Sequence, residues 1–132
     1  MDLLAGAALL VTAFLFGGMA LYSFGFAAFL FSHLPPAEAG NLLRQAFPHF
    51  YSGVIVVAVL ASGLLLRLDA VASSLIAGVA FSTLPVRQQL MPAINAASDA
   101  GERTRFNWLH GLSVAIGLLQ IVVVAYVLLR ML

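Results

Sequence analysis

The sequence predicts an all-α integral membrane protein: an up-down-up-down four-helix bundle with a short interfacial helix between the first two spans. Three observations carry this prediction. Of 132 residues, 63% are hydrophobic and 8% charged, against roughly 25% charged in an ordinary soluble domain, so a water-facing surface cannot be covered. Charge is absent from Leu3 to Phe31 and from Phe50 to Leu66, stretches comparable with the roughly 20 residues that a bilayer span needs. The five acids all fall at links or near the start of the chain. Residues 1–132 read as a single transmembrane domain, with spans at about 3–31, 48–66, 70–92 and 107–130 and an interfacial helix at about 36–47.

Each element has a local cause. A helix over Leu3–Phe31 is roughly 43 Å long, more than a hydrocarbon core of about 30 Å, so it tilts or projects. It opens on Met1-Asp2 without basic residues, and its apolar run exceeds that of a signal-peptide core, so it is expected to remain in the mature chain. Ala13, Gly17, Gly18 and Gly25 give it a small-residue side suited to close helix contact. Ser32-His33-Leu34-Pro35-Pro36 ends it, because proline disfavours helical geometry in the residue before it. Residues 36–47 then begin with proline and place Glu38 in a first helical turn, where the helix dipole favours an anion. Leu42, Leu43, Ala46 and Phe47 oppose Glu38, Asn41, Arg44 and Gln45, the pattern of a helix lying on the membrane surface.

Pro48 starts the second span, with Phe47, Phe50 and Tyr51 suited to the headgroup zone. Arg67-Leu68-Asp69 is a tight turn between antiparallel neighbours. The third span carries Ser74, Gly78 and Ser82 at four-residue spacing, a small-residue surface, and Pro85 bends it. Beyond it the helix continues, with Asp99 expected to pair with Arg103 one turn on. Gly101 and the run Glu102-Arg103-Thr104-Arg105 lead into the last span.

Several functions are excluded or disfavoured. A net charge of +1 without a basic patch gives no nucleic-acid partner. The absence of cysteine removes disulfides and thiolate chemistry. No nucleophile elbow, phosphate loop, HExxH or intramembrane carboxylate pair occurs, so the chain reads as non-enzymatic.

Candidate chemistry concentrates where polar sequence meets the last span. His110, Ser113, Gly117 and Gln120 recur at helical spacing and share one face. Histidine and glutamine are costly against lipid, so that face should look inward. Alternating directions place His33, His49, Arg87 and His110 near one membrane boundary, with Asn95, Asp99, Asn107 and Ser113 around them. Three readings stay open. His33, His49 and His110 could hold zinc, copper, nickel or iron, although no two share a helix at i, i+4. His110 could be an axial ligand to haem or line a quinone site, although no second histidine lies within the apolar core. Arg87 and His110 could line a polar or anion-binding pocket, since a buried arginine needs an acid, carbonyls or an anionic ligand. Against these, Arg87 could snorkel to the headgroups while His33 and His49 are merely solvated.

Phe31-Ser32-His33-Leu34-Pro35, Gly40, Phe47-Pro48-His49-Phe50-Tyr51, Arg87 with Leu90 and Pro92, and His110-Gly111-Leu112-Ser113 resemble, in order along most of the chain, the transmembrane protein 205-like family, also described as a domain of unknown function. The resemblance implies a four-helix membrane protein and no particular biochemical role. Its motif positions include Arg87, His110, Gly111 and Ser113 but not His33 or His49, which favours Arg87 with His110 over the three-histidine site. The resulting expectation is a membrane protein with a polar pocket at one face. Arg87, His110, Ser113 and Gln120 build it, with Asn95 and Asn107 nearby, and it binds or passes a small solute or ion. The alternatives are a haem- or metal-binding redox protein and an accessory subunit. The expected partners are the lipid bilayer and either further copies of the chain or a larger membrane complex. Arg44, Arg87, Arg103 and Arg105 on one side outnumber Arg67 and Arg130 on the other. The positive-inside rule then places both termini in the periplasm of a bacterial inner membrane.

Overall fold

The computed structural model describes residues 2–132. Four helices long and apolar enough to cross a membrane make up nearly all of it: α1 Leu3–His33, α2 Pro36–Leu65, α3 Ala70–Asp99 and α4 Arg103–Arg130. The chain is therefore a multi-pass integral membrane protein. No strand occurs among the described residues. Each helix packs on its chain neighbour and α4 closes the ring against α1.

The helix ends follow their sequence signals. The Asp2 side chain accepts from the Ala5 N–H at 2.7 Å and caps α1. Pro36 opens α2 with Glu38 in its first turn. Asp69 caps α3, accepting from the Val71 and Ala72 N–H groups at 3.1 and 3.2 Å. After α3 the chain reverses at Gly101, whose φ of 71° is a left-handed conformation. There the Glu102 N–H reaches the Ala97 carbonyl and the Gly101 N–H the Ser98 carbonyl, satisfying the last acceptors of the helix.

Two expectations about elements are corrected. Residues 36–47 are not a separate interfacial helix. They are the first turns of α2, which runs unbroken through Pro48. Pro48 removes one donor from the ladder, but this end is held in line because Ala39 is buried and Arg44 reaches across to Asp99, at 2.9 Å. That contact is also the second correction, since Asp99 pairs with Arg44 of α2 rather than with Arg103. The α3 helix continues past Pro85 by widening: residues Val86–Leu90 form a π-helical turn, and the Met91 N–H donates to the Val86 carbonyl five residues back. Pro92, which has no N–H to give, follows directly. A second π turn, Leu21–Phe26, lies in α1.

Buried positions recur at three- and four-residue steps on every helix: Ala8, Thr12, Leu15 and Met19; Val54, Ala58, Ala61 and Leu65; Ala72, Ile76, Val79 and Thr83; Gln120, Val124 and Val127. In lipid, apolar side chains gain little from meeting each other rather than acyl chains, so helices are held by close packing and hydrogen bonds. The α2–α3 interface shows both. Alanines at 58, 61 and 72 bring the backbones together, and two serines exchange bonds: Ser62 Oγ donates to the Ser73 carbonyl at 2.9 Å and Ser73 Oγ to the Ser62 carbonyl at 2.8 Å. The small residues Ala13, Gly17, Gly18 and Gly25 of α1, and Ser74 and Gly78 of α3, instead face out of the bundle.

At the terminal side Asp69 also receives Arg130 from α4, with Nε–Oδ2 at 2.6 Å and Nη2–Oδ1 at 3.3 Å. The guanidinium bond, aided by the Ala72 N–H, holds the Asp69 carboxyl below its ordinary pKa of 3.8. The folded state thus binds this proton more weakly than the unfolded chain does, and stability rises with pH across the interval. The contribution is complete above 3.8 and drains away as pH falls through the lowered folded value. Thermal unfolding in detergent between pH 5 and about 2 should show this acid-side loss in the native protein, and a smaller one in Asp69→Asn, which keeps a capping side chain but not the charge. For the serine pair, a double-mutant cycle of Ser62→Ala and Ser73→Ala should give a coupling of about 1 kcal/mol by equilibrium unfolding, within the range found between membrane helices.

Candidate functional site

Two adjoining cavities occupy the half of the bundle that carries the α1–α2 and α3–α4 links. The outer one, of about 710 Å³, lies among Phe31, the first turns of α2 at Gly40, Asn41 and Arg44, the end of α3 at Ile94, Asn95 and Ser98, and the start of α4 at Phe106, His110 and Ser113. The inner one, of about 300 Å³, continues inward past Ser23, Phe24, Val54 and Val86 to Gly117 and Gln120. Phe31, Leu43, Phe47, Tyr51, His110 and Ser113 line both, so together they make a funnel. Both volumes lie in the range of small-molecule pockets, roughly 300–1,000 Å³.

The funnel exists because α1 leaves α4. The two helices pack closely along Leu3–Ala20, with no comparable contact from Leu21–His33. From Leu21 onward α1 leans on α2, through an aromatic stack in which Tyr22 and Phe50 lie parallel with centroids 4.4 Å apart, flanked by Phe26, Phe47 and Tyr51. Both π turns border the inner chamber, one through Ser23 and Phe24 and the other through Val86. Widened turns of this kind recur at functional sites.

The α4 stripe of His110, Ser113, Gly117 and Gln120 is one wall of the inner chamber. At its deep end Gln120 Nε2 donates to Ser82 Oγ at 2.8 Å and Thr83 Oγ1 at 3.0 Å. Both hydroxyls donate onward to the Val79 carbonyl, at 3.1 and 2.7 Å. Ser113 Oγ donates to the His110 carbonyl of its own helix. The exposed His110 ring stacks on Phe106, with centroids 5.5 Å apart. Asn95 lines the outer cavity; Asn107 is exposed and lines neither.

Arg87 does not join His110. It is half-buried and lines neither cavity. Its Nε donates to the Pro48 carbonyl at 3.0 Å and its Nη1 to Gln88 Oε1 at 2.9 Å. Alternating helix directions fix depth but not the side of the helix, and the guanidinium turns to a carbonyl of α2 rather than toward α4. The three histidines are likewise apart: among the described residues no group of three His, Cys, Asp or Glu side chains converges. His33 is turned onto its own helix, with Nδ1 2.9 Å from the Phe29 carbonyl and its ring stacked on Phe29. His49 is exposed away from both cavities.

Residues 10–103 match the family described as a domain of unknown function, DUF4149. The chain belongs to this family. No curated protein and no solved structure matches it. The DUF4149 segment contains the α1, α2 and α3 walls of the funnel but ends at the first residue of α4, so the stripe from His110 to Gln120 lies outside it.

Ser23 and Tyr51 also line the chamber, and neither belongs to the polar stripe evident in the sequence. In the sequence Ser23 is one of three hydroxyl residues, with Thr12 and Tyr22, in a charge-free span, and Tyr51 sits in an aromatic cluster that by pattern suits the headgroup zone. Because the chain has no cysteine, single replacements can be labelled without background. In native membranes Ser113→Cys should react with a small water-soluble maleimide at least about tenfold faster than Val124→Cys, which the closed half of the bundle shields from water.

Proposed function

We propose that this is a non-enzymatic membrane protein that binds a small molecule in the funnel. The observation that supports binding over passage is the packing beyond Gln120: Ala8, Ala58, Ala61, Leu65, Ala72, Ile76, Val124 and Val127 are fully buried there. That leaves a wide mouth at the link side and a blind end at mid-bundle. The walls are mainly apolar, with a few polar groups to orient an occupant, the usual composition of a ligand site. Within the DUF4149 family we place the chain with the transmembrane protein 205-like proteins, on the strength of Leu34, Pro35, Phe47, Pro48, Arg87 and His110. We further place it in a bacterial inner membrane, where the arginine balance supports an orientation with the mouth toward the cytoplasm and both termini in the periplasm.

A second reading, self-association or docking into a larger membrane complex, is favoured by the outward small-residue faces of α1 at Ala13, Gly17 and Gly18 and of α3 at Ser74 and Gly78.

Gly117 provides the test of binding. A Cβ built there meets nothing within 4 Å, so the space in front of it is open. Protein extracted in mild detergent should carry a bound small molecule by native mass spectrometry. Gly117→Phe should lower its occupancy about tenfold or more, equivalent to at least about 1.4 kcal/mol of binding, while the unfolding temperature changes little. Native protein without bound mass, or a variant that retains it fully, overturns the reading.

A further inference from the structure

The chemistry of the occupant follows from one atom and one opening. Gln120 is nine-tenths buried, and its amide nitrogen is taken up by Ser82, Thr83 and, at 3.5 Å, the Val79 carbonyl. Its carbonyl oxygen accepts no hydrogen bond among the described residues, although the side chain lines the inner chamber. The orientation of the amide is fixed by its neighbours. Both hydroxyls already donate to Val79 and so require a donor from Gln120. An acceptor held this way in an apolar chamber is costly to leave alone and calls for a donor. Tyr51 and Ser23 add two hydroxyls that make no hydrogen bond among the described residues. No Asp, Glu, Lys or Arg side chain lines the inner chamber, and its one ionisable ring, His110, stands at the outer end shared with the other cavity.

The chamber also opens sideways. Phe24 and Phe31 of α1 and Val114 and Leu118 of α4 line it and are each about half exposed on the outside of the bundle. They flank the gap left where α1 departs from α4, and in a membrane that gap faces acyl chains rather than water.

We propose that the inner chamber takes an uncharged, mostly apolar molecule from the bilayer, bound with a hydroxyl or N–H donor on Gln120 Oε1 and its apolar remainder leaving between α1 and α4. This inference rests on the binding reading above and adds the class of ligand. A charged head is disfavoured because the chamber offers it no counter-charge. A pure hydrocarbon leaves the glutamine acceptor unmet.

The test uses two probes that differ by one donor, 4-nonylphenol and its methyl ether, titrated into the full-length protein in phosphatidylcholine nanodiscs and followed by thermal stabilisation. The phenol should half-saturate at about a tenfold lower concentration than the ether, as expected when a buried acceptor is met rather than left bare. In Gln120→Met, where Ser82 and Thr83 keep their bonds to Val79, the two should become equal. Gly117→Phe should abolish the response to both. If phenol and ether bind native protein equally and Gly117→Phe removes both, the chamber binds apolar molecules without reading a donor; the inference fails and the binding reading stands. If neither probe stabilises the native protein, or Gly117→Phe leaves the response intact, the chamber is not the binding site and both fail. A phenol preference that survives in Gln120→Met also overturns the assignment to Gln120. The native comparison alone decides the donor question should that variant not fold.

Discussion

Close approach of α2 and α3 is the constraint on which the rest of the bundle depends. Lipid gives helices little reason to associate by apolar burial alone, and this pair meets through alanines that let the backbones near each other and serines that exchange bonds across the gap. A four-residue link, Leu66 to Asp69, fixes the partners as neighbours, and Asp69 ends it as the cap of α3. The other two helices are arranged around this pair. α1 packs along α2, and α4 is anchored to α3 at mid-bundle by the glutamine, serine and threonine cluster and to the turn by Arg130.

The funnel is the space this arrangement leaves. Where α1 has its buried stripe of Ala8, Thr12 and Leu15, the bundle is closed, and Met19 one turn on already borders the inner chamber. Where large aromatic side chains replace small ones, α1 leans on Tyr22 and Phe26 against α2 and separates from α4. Two widened helical turns at this level depart from the regular ladder on both sides of the chamber. Polarity follows depth: asparagines, Ser98 and the Arg44–Asp99 pair stand at the mouth, and a single amide stands at the end. The ion pair there is largely exposed, with side chains 38% and 65% accessible, so it adds little stability and serves mainly to set the position of the first turns of α2.

The four spans were legible because charge-free runs of sufficient length have few other uses. The α4 face was legible too, since a regular helix carries residue spacing faithfully into direction and His110, Ser113, Gly117 and Gln120 line one chamber. What depended on a partner was not. Arg87 and His110 share a depth, but nothing local says that the guanidinium turns to the Pro48 carbonyl of α2. Pro48 reads locally as a helix start, and the contacts that keep the helix going through it, burial of Ala39 and the reach of Arg44 to Asp99, come from other elements. Ser82 was visible as a small residue, but its pairing with Gln120, 38 positions away, comes from the tertiary fold. The π turns have no signature beyond the prolines near one of them, which is why a wheel drawn at 3.6 residues per turn loses its register there.

The double engagement of Asp69 bears on the order in which the chain can assemble. Its carboxylate is oriented by the N–H groups of its own helix, an interaction that needs only the α2–α3 hairpin. α4, which emerges after that hairpin during synthesis, therefore meets an anchor already in place, and Arg130 near its far end can lock on without further reorganisation of the turn. Late docking of a pre-inserted span onto an established hairpin is the sequence of events that separate insertion and association of membrane helices allows.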